Sequence, residues 1–471
     1  MARALRDTPW PVLLLIASFL CPTELSVYVG SARLPPHRAL LLVLLPFALF
    51  AIAGRRRIRP KLFDAAFVGF ACWTFTTYIY HHGQADGLQT GGALALDSLG
   101  SYLVARAFVR DVGAFAATAT TLLLGVMISG LLALPEMLTA QIYVHDILRQ
   151  ITGYVHPVGI EKRLGLTRAF GTFDHPIHLG TFCASSLALA VYAARKEAGA
   201  ALRGLAIAIC ALTSLSSAPM LSLGLQAGLI GFERATRGIK GRVAMAVAAI
   251  VAAFGAVSLV ATRSPFAIIA TGFTLDSWTG FYRLMIWENG LANVWTNPLL
   301  GLGLNDWERP LWMVSSTIDA FWLVITMRTG IPAFLLLAMG IVLVVRGVNA
   351  GLGRSDRRSR RMATGWIISM LALILVGCTV HYWNVPFAYF FFFTGLGTWM
   401  ADPLRAGMAK SVPVAAASPA PRIVWVTPET IPAGAAPPSP PFPSAVPAKW
   451  PVPVPRREAA RATRTRSARV A

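Results

Sequence analysis

Apolar residues occupy most of the chain in long runs, and short polar or basic turns separate these runs. Several runs approach the roughly 20 residues that an α-helix needs to cross a bilayer. The pattern predicts about twelve membrane spans, at residues 10–29, 38–53, 62–80, 92–109, 114–134, 175–194, two within 203–232, then 243–261, 320–345, 362–380 and 385–400. We therefore expect an all-α, polytopic membrane protein.

The stretch 203–232 is too long for one span and short for two. SLSSAP at 214–219 interrupts it, and basic residues flank it on both sides. Flanks of the same charge favour a two-helix hairpin whose tip lies across the membrane from them.

The positions of the basic residues predict the orientation. Dense basic turns occur at 55–61 and 346–361. The positive-inside rule places both turns, and the N-terminus with them, in the cytoplasm. The segments 135–168 and 262–319 are then periplasmic, the second forming a large segment between the ninth and tenth spans. No small-residue cleavage site closes the first apolar run, so we interpret it as a span and not as a signal peptide.

Composition agrees with this class. The chain is 55% hydrophobic and 13% charged, whereas a soluble domain carries about 25% charged residues. The net charge of +21 is therefore a matter of membrane orientation, and no nucleic-acid partner is expected. Five cysteines without a CxxC pair argue against a disulfide framework or a zinc site.

The composition changes after residue 401, which divides the chain into a membrane domain, 1–401, and a tail, 402–471. The tail is rich in Pro, Ala and Ser and ends in RREAARATRTRSARVA. Such a segment cannot bury enough apolar surface to fold, so we expect a disordered cytoplasmic tail. Its basic end either contacts anionic lipid or is solvated.

The segment 262–322 is the longest segment of mixed polar and apolar residues between two predicted apolar helices. Apolar side chains recur there at helical spacing and include Trp287, and Arg283 lies among them. Asn297-Pro298 ends this helix because proline lacks a donor. We interpret the segment as an amphipathic helix on the membrane surface, followed by a structured turn through Gly301 and Gly303. A plain interfacial loop is the alternative.

Few residues carry recognisable chemistry. Asp174, His175 and His178 could hold a metal, but a helix start at His175-Pro176 is the favoured interpretation, and no metal or cofactor is expected. Two charges, Asp97 and Arg106, fall within one predicted span and are functional candidates, although Arg106 is expected to snorkel to the cytoplasmic face.

Two predicted external arginines, Arg168 and Arg283, oppose the orientation rule. Their guanidinium groups match phosphate oxygens in bidentate geometry, so a lipid diphosphate would account for them. Pairing of each with a lipid headgroup or with a loop carboxylate is the alternative.

Four stretches carry a resemblance to a known family: RAFGTFDHPIHLGTF (168–182), SLSSAPMLSLGL (214–225), YRLMIWENGLANVWTNPLLGLGLNDW (282–307) and IDAFWLVITMRTGIPAFLLL (318–337). Over about residues 10–400, the span layout and these motifs resemble the O-antigen ligase and O-antigen polymerase superfamily of bacterial inner-membrane glycosyltransferases.

This resemblance implies a GT-C-like fold and metal-independent transfer of a glycan from undecaprenyl diphosphate to a sugar acceptor in the periplasm. Arg168 and Arg283 match the family's motif arginines, and His175 and Trp287 are further candidates for substrate binding. The expected partners are a glycan donor linked to undecaprenyl diphosphate, a glycan or lipid-linked acceptor, membrane lipids and other polysaccharide assembly proteins.

Two departures from the family pattern affect the expected activity. Asp319 stands where lipid A-core ligases carry a histidine, and it remains a candidate base. The family's Ser-x-Ser-Arg motif reads Ser214-Leu-Ser216-Ser217-Ala218, without its arginine. These departures favour polymerisation of exopolysaccharide or O-antigen repeat units over ligation to lipid A core. A transporter or flippase for a lipid-linked or anionic substrate stays open, as does a structural scaffold.

Overall fold

The computed structural model describes residues 2–54, 58–154, 159–194, 196–239, 277–353 and 355–401, with residues 252 and 256. The segment 262–276, the tail 402–471 and, apart from residues 252 and 256, the predicted ninth span lie outside the described residues. Most of the chain is helical.

The α-helices are α1 Ala2–Asp7, α2 Trp10–Phe19, α3 Pro36–Ala53, α4 Leu62–Ala95, α5 Ser101–Phe108, α6 Val112–Thr139, α7 Tyr143–Thr152, α8 Pro176–Ser185, α9 Leu187–Ala193, α10 Glu197–Leu212, α11 Ser217–Ala235, α12 Ser277–Thr296, α13 Phe321–Leu352, α14 Arg357–Val376 and α15 Val385–Leu396. A 3-10 turn covers Thr23–Leu25, and a π-helical turn, Leu96–Gly100, joins α4 to α5. Two short antiparallel hairpins are β1 Val27–Val29 with β2 Ala32–Leu34, and β3 Lys162–Arg163 with β4 Leu166–Thr167.

Among the described residues, six helical stretches are long and apolar enough to cross a membrane: Pro36–Ala53, Leu62–Phe108, Val112–Thr139, Pro176–Ala193, Phe321–Leu352 and Arg357–Val376. The protein is therefore mostly helical with six candidate membrane-spanning helices. The count of about twelve and the GT-C-like arrangement stay predictions.

The stretch Leu62–Phe108 folds back on itself at Gly83, whose φ is +71°. A Cβ on Gly87 would lie 2.6 Å from the Cα of Ile79. Further from the turn, the rings of Phe67 and Tyr102 lie 4.4 Å apart. The two arms are therefore antiparallel, in agreement with the two separate spans predicted for 62–80 and 92–109.

Helix α13 is likewise interrupted, at Gly330, whose φ is +83°. The rings of Trp322 and Phe334 lie 6.2 Å apart, whereas residues so spaced would be roughly 18 Å apart along an unbroken helix. A short arm therefore precedes Gly330 and a long arm follows it. The prediction of one continuous span from residue 320 is wrong at its beginning.

The predicted first span, 10–29, is also wrong. Helix α2 has only 10 residues and reaches about 15 Å. Pro22 follows it and cannot continue the helix because it lacks a backbone donor. The chain then forms the β1–β2 hairpin, in which Val27 pairs with Leu34.

The predicted two-helix hairpin within 203–232 is confirmed. Helices α10 and α11 are joined by residues 213–216, which we call the hairpin tip. At the opposite end of the pair, Arg234 Nη2 lies 3.0 Å from Glu197 Oε2. This ion pair requires an antiparallel arrangement.

The bundle has a basic end and a loop end. At the basic end, a cavity of about 1230 Å³ is lined by Arg3, Arg203, Arg357, Arg358 and Arg361 among other residues. The loop end comprises the Gly83 turn, the β3–β4 hairpin, the hairpin tip, α12 and residues 377–384. Contacts across it include His81 Nε2 with Leu300 O at 3.2 Å. Basic side chains from separate turns therefore share one end, and the side of the membrane stays a prediction.

Both intramembrane charges have partners. Arg38 Nη2 donates to Asp97 Oδ2 at 2.6 Å, and Arg106 Nε lies 3.1 Å from Asp64 Oδ1. Arg106 is only 3% exposed, and its Nη2 donates to Arg59 O in the basic turn at 3.3 Å. Its snorkelling to the cytoplasmic face stays a prediction. Pairing offsets part of the free-energy cost of burying each charge among apolar helices.

Candidate functional site

Arg168 lies at the loop end, immediately after strand β4. Its backbone N–H donates to Glu161 O at 3.0 Å, which extends the β3–β4 ladder by one pair. Nη2 donates to Ser216 Oγ at 3.0 Å, Nε donates to Ser214 O at 3.4 Å, and Nη1 pairs with the Glu161 carboxylate. The side chain is 3% exposed. Arg168 is thus paired with a loop carboxylate, which was one of the alternatives to a lipid diphosphate in the sequence analysis.

A buried carboxylate holds the backbone of the segment that carries Arg168. Glu136 Oε2 accepts the backbone N–H groups of Phe170 and Gly171 at 2.9 and 2.8 Å. Gly171 has a φ of +58°, which glycine adopts without strain. Because these contacts hold the backbone, the Arg168 guanidinium has a defined position.

Arg283 lies on the buried face of α12 and is 7% exposed. Among the described residues, its Nε is buried without a hydrogen-bond partner. Burial lowers the pKa of Arg283, while the nearby Asp319 carboxylate opposes this shift and Arg163 adds to it. A buried N–H group without a hydrogen-bond partner is unfavourable, so a bound anion that accepted from Nε would relieve a cost that the fold carries here.

Asp319 lies just before α13 and is partly buried. Its carboxylate is the one whose charge opposes the lowered pKa of Arg283. Burial raises the pKa of Asp319 above its ordinary value, and Arg283 counteracts only part of this shift. A carboxylate with a raised pKa accepts a proton more readily than an exposed aspartate does.

A third arginine, Arg163, was not singled out in the sequence. It lies on strand β3, and its Nη1 donates to Leu215 O at the hairpin tip at 3.3 Å. Burial lowers the pKa of Arg168, the charges of Arg163 and Arg283 lower it further, and the Glu161 carboxylate opposes this shift. These interactions bring Arg163, Arg168 and Arg283 into one group, which we call the arginine cluster.

His175 serves the start of helix α8. Its Nδ1 accepts the Ile177 N–H at 3.1 Å, which caps the helix. Its ring packs against Trp383, with centroids 5.7 Å apart. The neighbouring Asp174 accepts hydrogen bonds from Thr23 Oγ1 at 2.5 Å and Asn384 Nδ2 at 2.7 Å. The favoured interpretation of a helix start is confirmed, while substrate binding by His175 stays a prediction. Among the described residues, no group of three His, Cys, Asp or Glu side chains could hold a metal ion.

Trp287, one helical turn after Arg283, ties α12 to the loop 377–384. Its indole Nε1 donates to Cys378 O at 2.8 Å. This bond fixes the rotation of α12 and with it the direction of Arg283. The predicted role of Trp287 in substrate binding stays a prediction.

The turn after α12 has a defined structure. Gly301 and Gly303 both have positive φ, which builds the structured turn that the sequence predicts there. The backbone N–H groups of Leu302 and Gly303 donate to Met327 O at 2.8 Å and Arg328 O at 3.0 Å. The turn is therefore anchored on the short arm of α13, and the alternative of a plain interfacial loop is wrong for this part of the segment.

No protein-family model and no curated protein gave a significant match to this chain. The function proposed below is therefore supported by the chemistry of these side chains and by the motif resemblance.

Proposed function

We propose that the protein is a membrane glycosyltransferase that moves a glycan from undecaprenyl diphosphate to a sugar acceptor at the loop end of the bundle. The observation that carries the proposal is Arg283, a buried guanidinium whose Nε lacks a partner among the described residues. Two further arginines and a partly buried carboxylate accompany it. Such a group fits a dianionic leaving group and a hydroxyl nucleophile.

The reaction follows from these charges. A hydroxyl oxygen of the acceptor sugar attacks the anomeric carbon of the donor glycan, and its proton passes to Asp319. The bond between the anomeric carbon and the phosphate oxygen breaks, and its electron pair leaves with undecaprenyl diphosphate. Arg168 and Arg283 stabilise the charge that develops on this leaving group. Attack opposite the departing bond inverts the anomeric configuration.

Polymerisation of exopolysaccharide or O-antigen repeat units is the form of this activity that we favour. Asp319 occupies the position where lipid A-core ligases carry a histidine, and the ligase alternative is weaker for that reason. In cells that lack the gene, single repeat units should accumulate on the lipid carrier. Accumulation of long polymer on the carrier would instead identify a ligase.

A transporter for a lipid-linked or anionic substrate is the second candidate. The buried Arg38–Asp97 pair beside a π-helical turn favours it, because such turns are frequent at functional sites. Transporters usually bind substrate near the middle of the membrane on broken helices. The breaks at Gly83 and Gly330 lie at the loop end, which makes a transporter the weaker candidate.

Purified protein supplied with lipid-linked repeat units tests the proposal. Wild type should form polymer, and Arg283→Ala should lose most of this activity. Arg149→Ala is the matched control, because Arg149 lies on α7, is 55% exposed and already pairs with Asp146. Equal polymer formation by the two variants would refute the proposal and favour the transporter.

A further inference from the structure

The cavity at the basic end of the bundle is lined by arginines from three separate helices. Arg3 belongs to α1, Arg203 to α10, and Arg357, Arg358 and Arg361 to α14. Three aspartates also line the cavity, which leaves an excess of two positive charges. A concave wall with an excess of cations attracts anions, because its low-dielectric surroundings concentrate the electric field.

The carboxylates of this cavity already have partners. Asp111 Oδ1 accepts two backbone N–H groups at the start of α6, at 2.8 and 2.9 Å. Asp356 likewise accepts two backbone N–H groups at the start of α14, at 3.2 and 3.3 Å. Asp7 Oδ2 lies 3.6 Å from Arg3 Nε on the same helix. Among the described residues, the other four arginines of the cavity form no ion pair with a carboxylate.

Two adjacent arginines of α14 have different surroundings. Arg361 lines the cavity, and its Nη2 donates to Ala194 O, just after α9, at 2.8 Å. Arg360 is exposed, its Nη2 donates to Ser355 O at 3.3 Å, and it does not line the cavity. The positive-inside rule depends on the number of basic residues beside a span, so it treats both arginines alike. It does not explain why Arg361 is held against the cavity, whereas a bound anion does.

The cavity extends deeper than the headgroup region of a bilayer. Its wall on α6, a candidate membrane-spanning helix, runs from Asp111 to Thr120, which is about 13 Å along a helix. The headgroup region is roughly 5–8 Å thick on each side of a bilayer. The α6 wall between these two residues includes Ala114, Ala116 and Ala117. The outer part of the cavity therefore matches a charged headgroup and the deeper part an acyl chain, whereas a soluble anion would match the outer part alone.

We propose that this cavity binds an anionic phospholipid, whose phosphate contacts Arg203 and Arg361 and whose first acyl carbons lie along the alanines of α6. Guanidinium groups match phosphate oxygens in bidentate geometry, and basic pockets between spanning helices bind anionic headgroups. The bound lipid connects α6, α10 and α14. The site lies at the opposite end of the bundle from the arginine cluster, so this inference does not depend on the proposed function.

Titration of the purified full chain in detergent, followed by native mass spectrometry, tests the inference. The probes are phosphatidylglycerol and phosphatidylethanolamine with the same acyl chains. Wild type should bind phosphatidylglycerol more tightly, because the ammonium group of phosphatidylethanolamine cancels the charge of its phosphate. Arg361→Gln should weaken the binding of phosphatidylglycerol about tenfold. Arg360→Gln is the matched control, since it removes the same charge from the adjacent residue outside the cavity, and it should leave the affinity unchanged.

A second variant and a soluble competitor complete the test. Arg203→Gln removes a cavity arginine from a different helix and should weaken the binding of phosphatidylglycerol to a similar extent. It keeps the inference testable if Arg361→Gln does not fold. Glycerophosphoglycerol, which is the headgroup without acyl chains, should compete only weakly.

Three results would overturn the inference. Equal losses of affinity in Arg361→Gln and Arg360→Gln would show that the charge of the whole surface, and not the cavity, attracts the lipid. Equal binding of the two lipids by wild type would remove the role of the anionic charge. Competition by glycerophosphoglycerol at the affinity of the whole lipid would assign the cavity to a soluble phosphate in place of a lipid.

Discussion

At the scale of single residues, removal of Arg283 should change stability in the way expected for a ligand-binding arginine and not for a structural one. Its guanidinium is buried, and among the described residues its Nε has no hydrogen-bond partner. A structural arginine stabilises the fold through its bonds, so its removal lowers stability. A buried charge that awaits a ligand has the opposite effect on the empty protein.

We therefore expect Arg283→Met to raise the thermal unfolding temperature of the ligand-free protein while slowing glycan transfer by about ten- to a hundredfold or more. Arg283→Lys should restore little activity, because a point ammonium does not reproduce the guanidinium fork. Thermal unfolding and polymer formation by the same preparations check this. Lower stability combined with near-normal turnover would show that Arg283 is structural.

The pH dependence of turnover should report Asp319. Burial raises its pKa above the usual 3.8 and Arg283 lowers it in part, so activity should rise with pH through a pKa above that of an exposed aspartate. Asp319→Asn should abolish turnover while binding of the lipid donor is largely kept. Removing the positive charge in Arg283→Ala should raise the pKa of Asp319. The acidic limb of the pH–rate profile, where turnover falls as Asp319 is protonated, should then move to higher pH.

Arg283→Lys, which keeps the charge, serves as the control for that shift. Its acidic limb should stay close to that of wild type even though turnover is slow. An identical limb in wild type, Arg283→Ala and Arg283→Lys would remove Asp319 from the proton transfer.

At the scale of elements, backbone reversals at glycine build the loop end. The turn after α12 fits against the break in α13 so closely that a Cβ on Gly330 would lie 1.8 Å from the Leu299 carbonyl oxygen. Because of the same break, the Ile331 N–H donates a hydrogen bond to Pro298 O at 2.8 Å. These contacts connect the helix of Arg283 to the helix that begins just after Asp319.

Gly330→Ala should therefore unfold the loop end or strongly reduce the yield of folded protein, since it combines a positive φ with a backbone clash. Gly231→Ala is the control, because Gly231 lies in helix α11 with nothing within 4 Å of the added carbon. That substitution should be neutral or stabilise by about 0.5–1 kcal/mol. Thermal unfolding of both variants checks the contrast, and equal unfolding temperatures would contradict the described fit.

At the scale of the whole molecule, charge separates the two ends of the bundle. Basic residues from several turns line the cavity at the basic end, while the arginine cluster lies at the loop end beside carboxylates. The positive-inside rule explains why basic residues gather at the basic end. The arginines at the loop end run against that rule. Glu161 pairs with Arg168, and Arg283 is the arginine for which we propose a bound anion.

Labelling with a membrane-impermeant thiol reagent should separate the two ends. Asp306 and Arg358 both have exposed side chains, so Asp306→Cys and Arg358→Cys should be accessible and tolerated. In intact spheroplasts we expect labelling of position 306 and none of position 358 until the membrane is permeabilised. Labelling of both positions from the same side would overturn the orientation, and with it the periplasmic location of the site.

Much of the molecule follows from the sequence alone. Long apolar runs can satisfy their backbone groups in a bilayer only as helices, and the described structure has such helices at most predicted places. The end of α12 at Thr296, the turn through Gly301 and the two-helix hairpin around 214–219 depend on local chemistry, which periodicity, proline and glycine reveal.

Tertiary structure alone decided how the site is assembled. The reversal at Gly330, the partner that Glu161 provides for Arg168 and the position of Arg163 all depend on packing between segments far apart in the chain. EKRLGLTR carries the spacing of a hairpin with two arginines on one face, yet nothing in it shows that the hairpin tip between α10 and α11 lies against that face. Local sequence determines which backbone forms are accessible, and packing against distant segments determines that the Arg283 Nε is buried without a hydrogen-bond partner among the described residues.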